Sequence, residues 1–489
     1  MSGVIYQVLA TLILDFNCLV YGAANSIPVL TMMLFTSQDT ILDRQMTSTE
    51  GSLYISLANI GAIIGTPLAG YLVDYLGRKR SMIVCVLMPL ISWALFVFSN
   101  KVEVLLASTF IVGMGGGMFV IISAYICEFS QDSIRGTLAS GTMIFMILGI
   151  LISIVLSEFL SYKTITYIGL TASTIGVALL SVLKESPTML LKRGLDDEAA
   201  KAMAFYRNSK PDSKIVVQEI EKAKQALAPQ IEENIPEEEK LTAEFGKKPE
   251  EKLSKWQFFN RLQKRRRFSI RPKIRCTKNS KSTQRGLFLV MTAMAAGIFQ
   301  GMSVIQSYSI PLFSEAVPAD VLSPIWCTAI LTGLNLVSAL VAGYLTDIAG
   351  RKLLMIFGSI MVGFFGLLLG TQVQFHWGPA WVTPVIICLY SIAYAFGGGT
   401  IPYLLMGEVF LPEVRGVMSI ICLEWTWSCN FIAIFIFKPL VAAIGLGSVF
   451  YFFAFVAILS AVFAYFCQPE TKGLSVNDIQ LLLVKKKVR

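Results

Sequence analysis

Gly70-Tyr71-Leu72-Val73-Asp74-Tyr75-Leu76-Gly77-Arg78-Lys79 returns, with its glycines, aspartate and basic pair in register, as Gly343-Tyr344-Leu345-Thr346-Asp347-Ile348-Ala349-Gly350-Arg351-Lys352, 273 residues downstream (70 against 343). A second pair keeps the same order: Glu128 with Arg135-Gly136, and Glu408 with Arg415-Gly416, 280 residues downstream (128 against 408). Two motifs repeated at nearly one offset read as duplication of a whole half of the chain.

The surroundings of the repeats set the class. Of 489 residues, 55% are hydrophobic and only 15% charged, whereas a soluble surface needs about a quarter of its residues charged. Runs such as 81–100, 105–127 and 444–467 carry no charge, and ~20 apolar residues cross a ~30 Å hydrocarbon core as a helix. The spacing predicts spans near 4–30, 52–73, 81–99, 104–127, 138–157, 165–183, 286–312, 322–346, 353–372, 381–407, 416–440 and 447–467. The expected fold is all-α: twelve transmembrane helices in two six-helix repeats. The boundaries are 1–184 for the first bundle, 185–285 for a central loop, 286–468 for the second bundle and 469–489 for a tail. Each Asp-x-x-Gly-Arg-Lys copy closes its half's second helix, and each Glu-x6-Arg-Gly copy leaves its fourth.

Basic residues fix the orientation, because Lys and Arg of short loops stay on the cytoplasmic side. Of 41 Lys and Arg, only Arg44, Lys101, Lys163 and Lys438 fall at the outer side of this map. Both termini are therefore expected in the cytoplasm of a multi-pass cell-membrane protein. The segment before Asp15 has no Lys or Arg, so it lacks the basic start of a cleaved signal peptide and is read as the first span. The net charge of +9 and the run from Arg261 to Lys281 point to an anionic lipid leaflet and not to nucleic acid, since few aromatic rings are present there to stack bases. Eight cysteines lie in apolar spans and Cys276 in the loop; without ligand spacing they indicate packing residues, neither a metal site nor disulfides. His376 reads as an ordinary residue of an outer loop. No nucleophile-base pair, metal cluster or phosphate loop appears, so neither an enzyme nor a cofactor is expected.

An acidic group ending one helix and an Arg beyond the turn can form charge-assisted contacts with neighbouring helices. Asp74, Arg78, Glu128, Arg135, Asp347, Arg351, Glu408 and Arg415 are thus candidate gate residues; the alternative is that they only tie down loops. Duplicated bundles with a site between them at mid-membrane are the construction of rocking transporters.

These motifs, with Glu185-Ser186-Pro187 and Pro469-Glu470-Thr471-Lys472-Gly473, resemble the signature set of the sugar porter family of the major facilitator superfamily. Within it, Ser26-Ile27-Pro28 is similar to a segment of the insect facilitated trehalose transporter group. The resemblance implies alternating-access transport of a hexose or a trehalose-like disaccharide. Gln300-Gly301-Met302-Ser303-Val304-Ile305-Gln306 resembles the family's Gln-Gln-Leu-Ser-Gly-x-Asn. Trp427-Ser428-Cys429-Asn430-Phe431 fits Trp-x-x-Asn-Phe, and Gly397-Gly398-Gly399-Thr400-Ile401-Pro402-Tyr403 is similar to Gly-x-Gly-Pro-x-Pro-Trp. Gln300, Gln306, Trp427, Asn430 and Gly399 are the implied substrate residues, amides suiting hydroxyls that both donate and accept; the glutamines and Asn430 could equally bond helix to helix. The family's sugar-binding Gln of helix 5 aligns with Met143 and its helix 4 Arg with Thr109. At ~1 kcal/mol per missing bond, affinity for a simple hexose falls tenfold or more.

The Asp that the family's proton symporters carry in helix 1 aligns near Gly22, which favours uniport. Asp15 and Glu424 remain candidates for coupling, because acidic groups inside a span are functional hypotheses. Two alternatives stand beside sugar uniport: transport of another polar solute, and a non-transporting sugar sensor signalling through the long loop. In that loop 195–207 and 216–227 are expected to be helical and the Glu/Pro/Lys-rich remainder disordered. The tail, with Ser475 and Asp478 as a capping pattern and basic Lys485 to Lys487, is expected to lie on the inner leaflet as an amphipathic helix.

Overall fold

The computed structural model describes residues 2–131, 134–233, 281–316 and 323–485. The basic run from 261, Cys276, the Glu/Pro/Lys-rich part of the loop, Lys486 and Lys487 lie outside the described residues.

The first half contains α1 (Ser2–Thr36), α2 (Ser48–Leu76), α3 (Arg78–Phe98), α4 (Val102–Gly115), α5 (Met118–Phe129), α6 (Arg135–Phe159) and α7 (Tyr162–Val182). Three helices follow, α8 (Pro187–Lys192), α9 (Asp196–Arg207) and α10 (Lys214–Glu233). The second half contains α11 (Lys281–Phe299), α12 (Met302–Ser307), α13 (Ser309–Ala316), α14 (Pro324–Ala349), α15 (Arg351–Phe375), α16 (Val382–Phe396), α17 (Ile401–Val409), α18 (Pro412–Ile444) and α19 (Leu446–Cys467), with α20 (Val476–Lys485) after it. No strand occurs among the described residues. Counting α4 with α5 and α16 with α17, eleven helices among the described residues are long and apolar enough to cross a membrane.

Stretch 286–312, read as one span, differs from the expectation. It is cut into α11, α12 and α13: the first break falls at Gly301, which takes φ +90°, a left-handed conformation open to glycine, and the second at Tyr308. A Cβ on Gly301 would meet the Phe453 ring at 2.3 Å. Two other spans are interrupted at glycine triplets in corresponding positions: Gly115 to Gly117 between α4 and α5, and Gly397 to Gly399 between α16 and α17. The two interruptions fall one in each half, at corresponding places in the duplicated arrangement.

The two motif-bearing helices begin and end alike. Thr47 accepts from Glu50 N–H at 3.2 Å while the Glu50 carboxylate accepts from Thr47 N–H at 2.9 Å, a reciprocal cap. Ser323 accepts from Ile325 N–H at 3.3 Å, with Pro324 at the first turn. Both helices stop at a glycine of positive φ, +96° at Gly77 and +89° at Gly350.

Lipid tails are as apolar as leucine, so close packing holds the helices together. Gly149 of α6 lies against the Leu19 backbone of α1, where a Cβ would be 1.9 Å from the carbonyl oxygen. One core gathers Leu14, Tyr54, Trp93 and Ile122 of the first half. A second gathers Tyr308, Val362, Tyr390 and Phe450 with Met32 and Ile55 of the first half. A third joins Val290, Met355, Ile401 and Phe410 to Ile479 of α20. The tail helix therefore differs from the lipid-lying helix expected: Ile479 and Leu483 are buried against protein. Arg285 Nη1 donates to Leu483 O at 2.8 Å and Gln480 Nε2 to Val409 O at 2.5 Å. Leu481 and Leu482 are exposed. The expected loop helices are present as α9 and α10, packed with α8 around Leu190, Ala199 and Val216.

Candidate functional site

At the foot of the first half, Arg78 Nη2 and Nε donate to Glu128 Oε1 at 2.5 and 3.0 Å, and Ser186 Oγ donates to the other carboxylate oxygen. Backbone N–H groups of Arg78 and Lys79 donate to Glu185 Oε1 at 2.7 and 3.0 Å. The second half repeats this group by group. Arg351 Nη2 and Nε reach Glu408 Oε1 at 2.9 and 3.1 Å, and Thr471 Oγ1 donates to Glu408 Oε2 at 2.6 Å. The N–H groups of Arg351 and Lys352 donate to Glu470 at 2.9 and 3.0 Å. Burial works against the charge of Glu470, yet N–H donors from Arg351, Lys352, Lys472 and Thr471 hold its carboxyl below the usual range.

The glycine turns make this possible: a Cβ on Gly77 would stand 2.7 Å from Glu185 Oε2, and one on Gly350 2.6 Å from Glu470 Oε2. Both arginine-glutamate pairs lie within one half and tie three segments of it. Arg351 also reaches Asp347 at 3.1 Å, although the Asp347 side chain is 77% exposed. Asp74 is exposed, Arg135 half-buried, and Arg415 Nε donates to Phe410 O at 3.3 Å. Glu185, Ser186, Glu470 and Thr471 complete the cluster without having been assigned to it; the signal was their equal placement after the last helix of each half.

Mid-chain, the expected substrate residues are divided. Asn430 of α18 is half-buried and donates from Nδ2 to Asn59 Oδ1 of α2 at 2.9 Å, across the halves. Its own Oδ1 is buried without a hydrogen-bond partner. Gln306, Trp427 and Gly399 are half-buried. Gln300 is fully buried and turns into its own half: Nε2 donates to Ser359 Oγ at 3.3 Å, and its carbonyl accepts from Tyr390 Oη. Its Oε1 is buried without a partner, beside the α16–α17 interruption, where a Cβ on Gly398 would approach it to 2.7 Å. Thr109 is buried and bonded to Leu105 O, whereas Met143 is 53% exposed. Asp15 is buried against Gly141 of α6, and Glu424 is half-buried on α18; each has one carboxylate oxygen, Oδ1 and Oε1 respectively, buried without a partner.

At the end remote from the Gly77 and Gly350 turns, the halves also touch. Ser323 Oγ donates to Glu158 Oε2 at 3.1 Å, Phe159 meets Trp326 edge-on at 6.2 Å, and Ser314 Oγ lies 3.9 Å from Met33 Sδ.

Eleven membrane-length helices carrying one latch in each half define a multi-pass membrane protein built by duplication. The chain belongs to the sugar (and other) transporter family, whose model matches residues 4–483. It is 25% identical over 97% of its length to a facilitated trehalose transporter of Culex quinquefasciatus, covering 85% of that protein. It is 24% identical to another of Aedes aegypti, of which it spans 54%. Its fold matches the xylose transporter XylE of E. coli in a partially occluded, inward-open conformation, at a TM-score of 0.71 and 19% identity, over 96% of this chain and 99% of that one.

Proposed function

We propose that this protein is an alternating-access facilitator that moves a sugar, a hexose or a trehalose-like disaccharide, down its gradient and is not an enzyme. The observation that carries the reading is the latch built twice from the same groups, Arg78–Glu128–Ser186 over Glu185 and Arg351–Glu408–Thr471 over Glu470. In it, residues 1–184 and 286–468 form two six-helix bodies, the broken stretch 286–312 counts as the twelfth span, and both termini lie in the cytoplasm. The latches brace the inner end of each body so that it rocks as a unit. Charge-assisted hydrogen bonds are worth ~1.5–3 kcal/mol each, comparable to the few kcal/mol that separates two conformers.

Gln306, Trp427 and Asn430, with Gly399 at the helix interruption, form the sugar site; Gln300 supports it from behind by holding the broken segment to Ser359 and Tyr390. The facilitated trehalose transporters among its relatives support a sugar as cargo. Transport is uniport, with Asp15 packed inside the first body and not lining the path. The basic loop is attracted to the anionic inner leaflet, whereas α20 of the tail packs against the second half. Counterflow of labelled trehalose and hexoses in proteoliposomes tests the reading: exchange of a sugar is expected, and exchange of other solutes only, or binding without flux, contradicts it.

A further inference from the structure

The second half holds a partly open cavity of about 450 Å³ at the end remote from the Gly350 turn, behind α13 and between the ends of α15, α16 and α19. It lies outside the mid-membrane residues described above, and its size suits a small organic molecule. Its floor is apolar, built from Leu369, Ile387 and Phe450 among others, all nearly fully buried. Its polar lining includes Ser314, Glu315 and His376. The Gln372 amide, also in the lining, is already engaged by Gly378 N–H at 2.9 Å and by donation to Gly378 O at 3.0 Å. No Lys or Arg is found among the described residues that line the cavity.

We infer that this cavity is a regulatory site for a small amphiphilic amine, its ammonium held by the Glu315 carboxylate beside Ser314 and His376, its apolar body on the floor. An anion finds no countercharge here, and a neutral head leaves the carboxylate unmatched.

The site is coupled to the transport cycle through α13. Ser314 of this helix lines the cavity and its Oγ also lies 3.9 Å from Met33 Sδ of the first half. When the halves part at this end, Ser314 must leave Met33, and the cavity is the space into which α13 retreats. A ligand seated there fits only the closed arrangement, so it holds that end shut in proportion to its differential affinity for the two states. The consequence for flux rests on the transport reading; binding does not.

The test uses the purified full chain and three probes sharing one tail: phenylbutylamine, phenylbutanol and phenylbutyrate. By thermal stabilisation and isothermal titration, the amine is expected to bind about tenfold or more tighter than the other two. Glu315→Gln is expected to erase that preference, and Leu446→Trp, which fills the cavity, to abolish binding of the amine. In proteoliposomes, outside amine is expected to lower the maximal rate of sugar counterflow without changing KM. Equal binding of the three probes, inhibition unchanged in both variants, which marks a bilayer effect, or competitive inhibition would each overturn the inference. Failure of every sugar to exchange would sink the transport reading and leave the binding result to decide the site.

Discussion

Asn430 Nδ2 and Asn59 Oδ1 stand 2.9 Å apart, joining α18 of one half to α2 of the other. The two helices face each other along most of their length: Gly51 sits beside Lys438, Asn59 beside Asn430, and Gly70 beside Ile420. In a rocking protein this contact must change between conformers, so an amide expected to bind sugar also tunes the conformational equilibrium.

Asn59→Ala should therefore shift the distribution between conformers by about fivefold, the ~1 kcal/mol of one hydrogen bond, with sugar affinity within either conformer unchanged. Asn430→Ala should do the same and weaken sugar binding as well. A double-mutant cycle on accessibility of an engineered cysteine should return a coupling of ~1 kcal/mol; no coupling would mean the bond contributes nothing.

Glu128→Gln and Glu408→Gln should each slow transport about tenfold or more, since each loses charge-assisted bonds of ~1.5–3 kcal/mol. Because the two networks sit in different halves and share no residue, the double variant should be additive in free energy. Rates from counterflow, with surface expression measured in parallel, check this.

Gly77→Ala and Gly350→Ala combine a positive φ, which costs an L-residue ~1–2 kcal/mol, with a Cβ pressed onto Glu185 or Glu470 at 2.7 and 2.6 Å. Gly445 has φ +81° and open space around it. Gly445→Ala should lower Tm by the backbone cost alone, and the two latch variants should lower it further.

Acid should weaken the second latch in a defined direction. The folded-state pKa of Glu470 lies below its ordinary value, so its contribution to stability is complete above the unfolded carboxyl pKa of ~4.3 and is lost as pH falls through the lower folded value. Measured from pH 7 downward, the Tm deficit of Glu470→Gln should stay constant to about pH 5 and shrink below it.

The duplicated turn could be read directly because it is spelled in chain order and tied to the most local geometry, a positive-φ glycine followed by Arg; that this Arg pairs with the glutamate 50 or 57 residues on was not legible. The expected spans correspond to observed helices except at 286–312, which the chain covers with three helices, and at 104–127 and 381–407, each broken in two at a glycine triplet. The orientation of Gln300 was not readable: a polar residue on a helix within a bundle can face the path or its own half, and its side chain is held by Ser359, 59 residues away. Asn59 was invisible for the same reason, its partner lying 371 residues along the chain. The Ile479 and Leu483 stripe announced an amphipathic helix, yet nothing in its pattern says whether protein or lipid covers it.

Counterflow through the purified chain reports transport itself most directly. Liposomes loaded with unlabelled trehalose or glucose should accumulate the matching labelled sugar transiently, with no dependence on an imposed proton gradient, and Glu128→Gln should suppress the signal about tenfold or more. Absence of sugar exchange while sugar binding persists, or accumulation that collapses with a protonophore, would contradict the account.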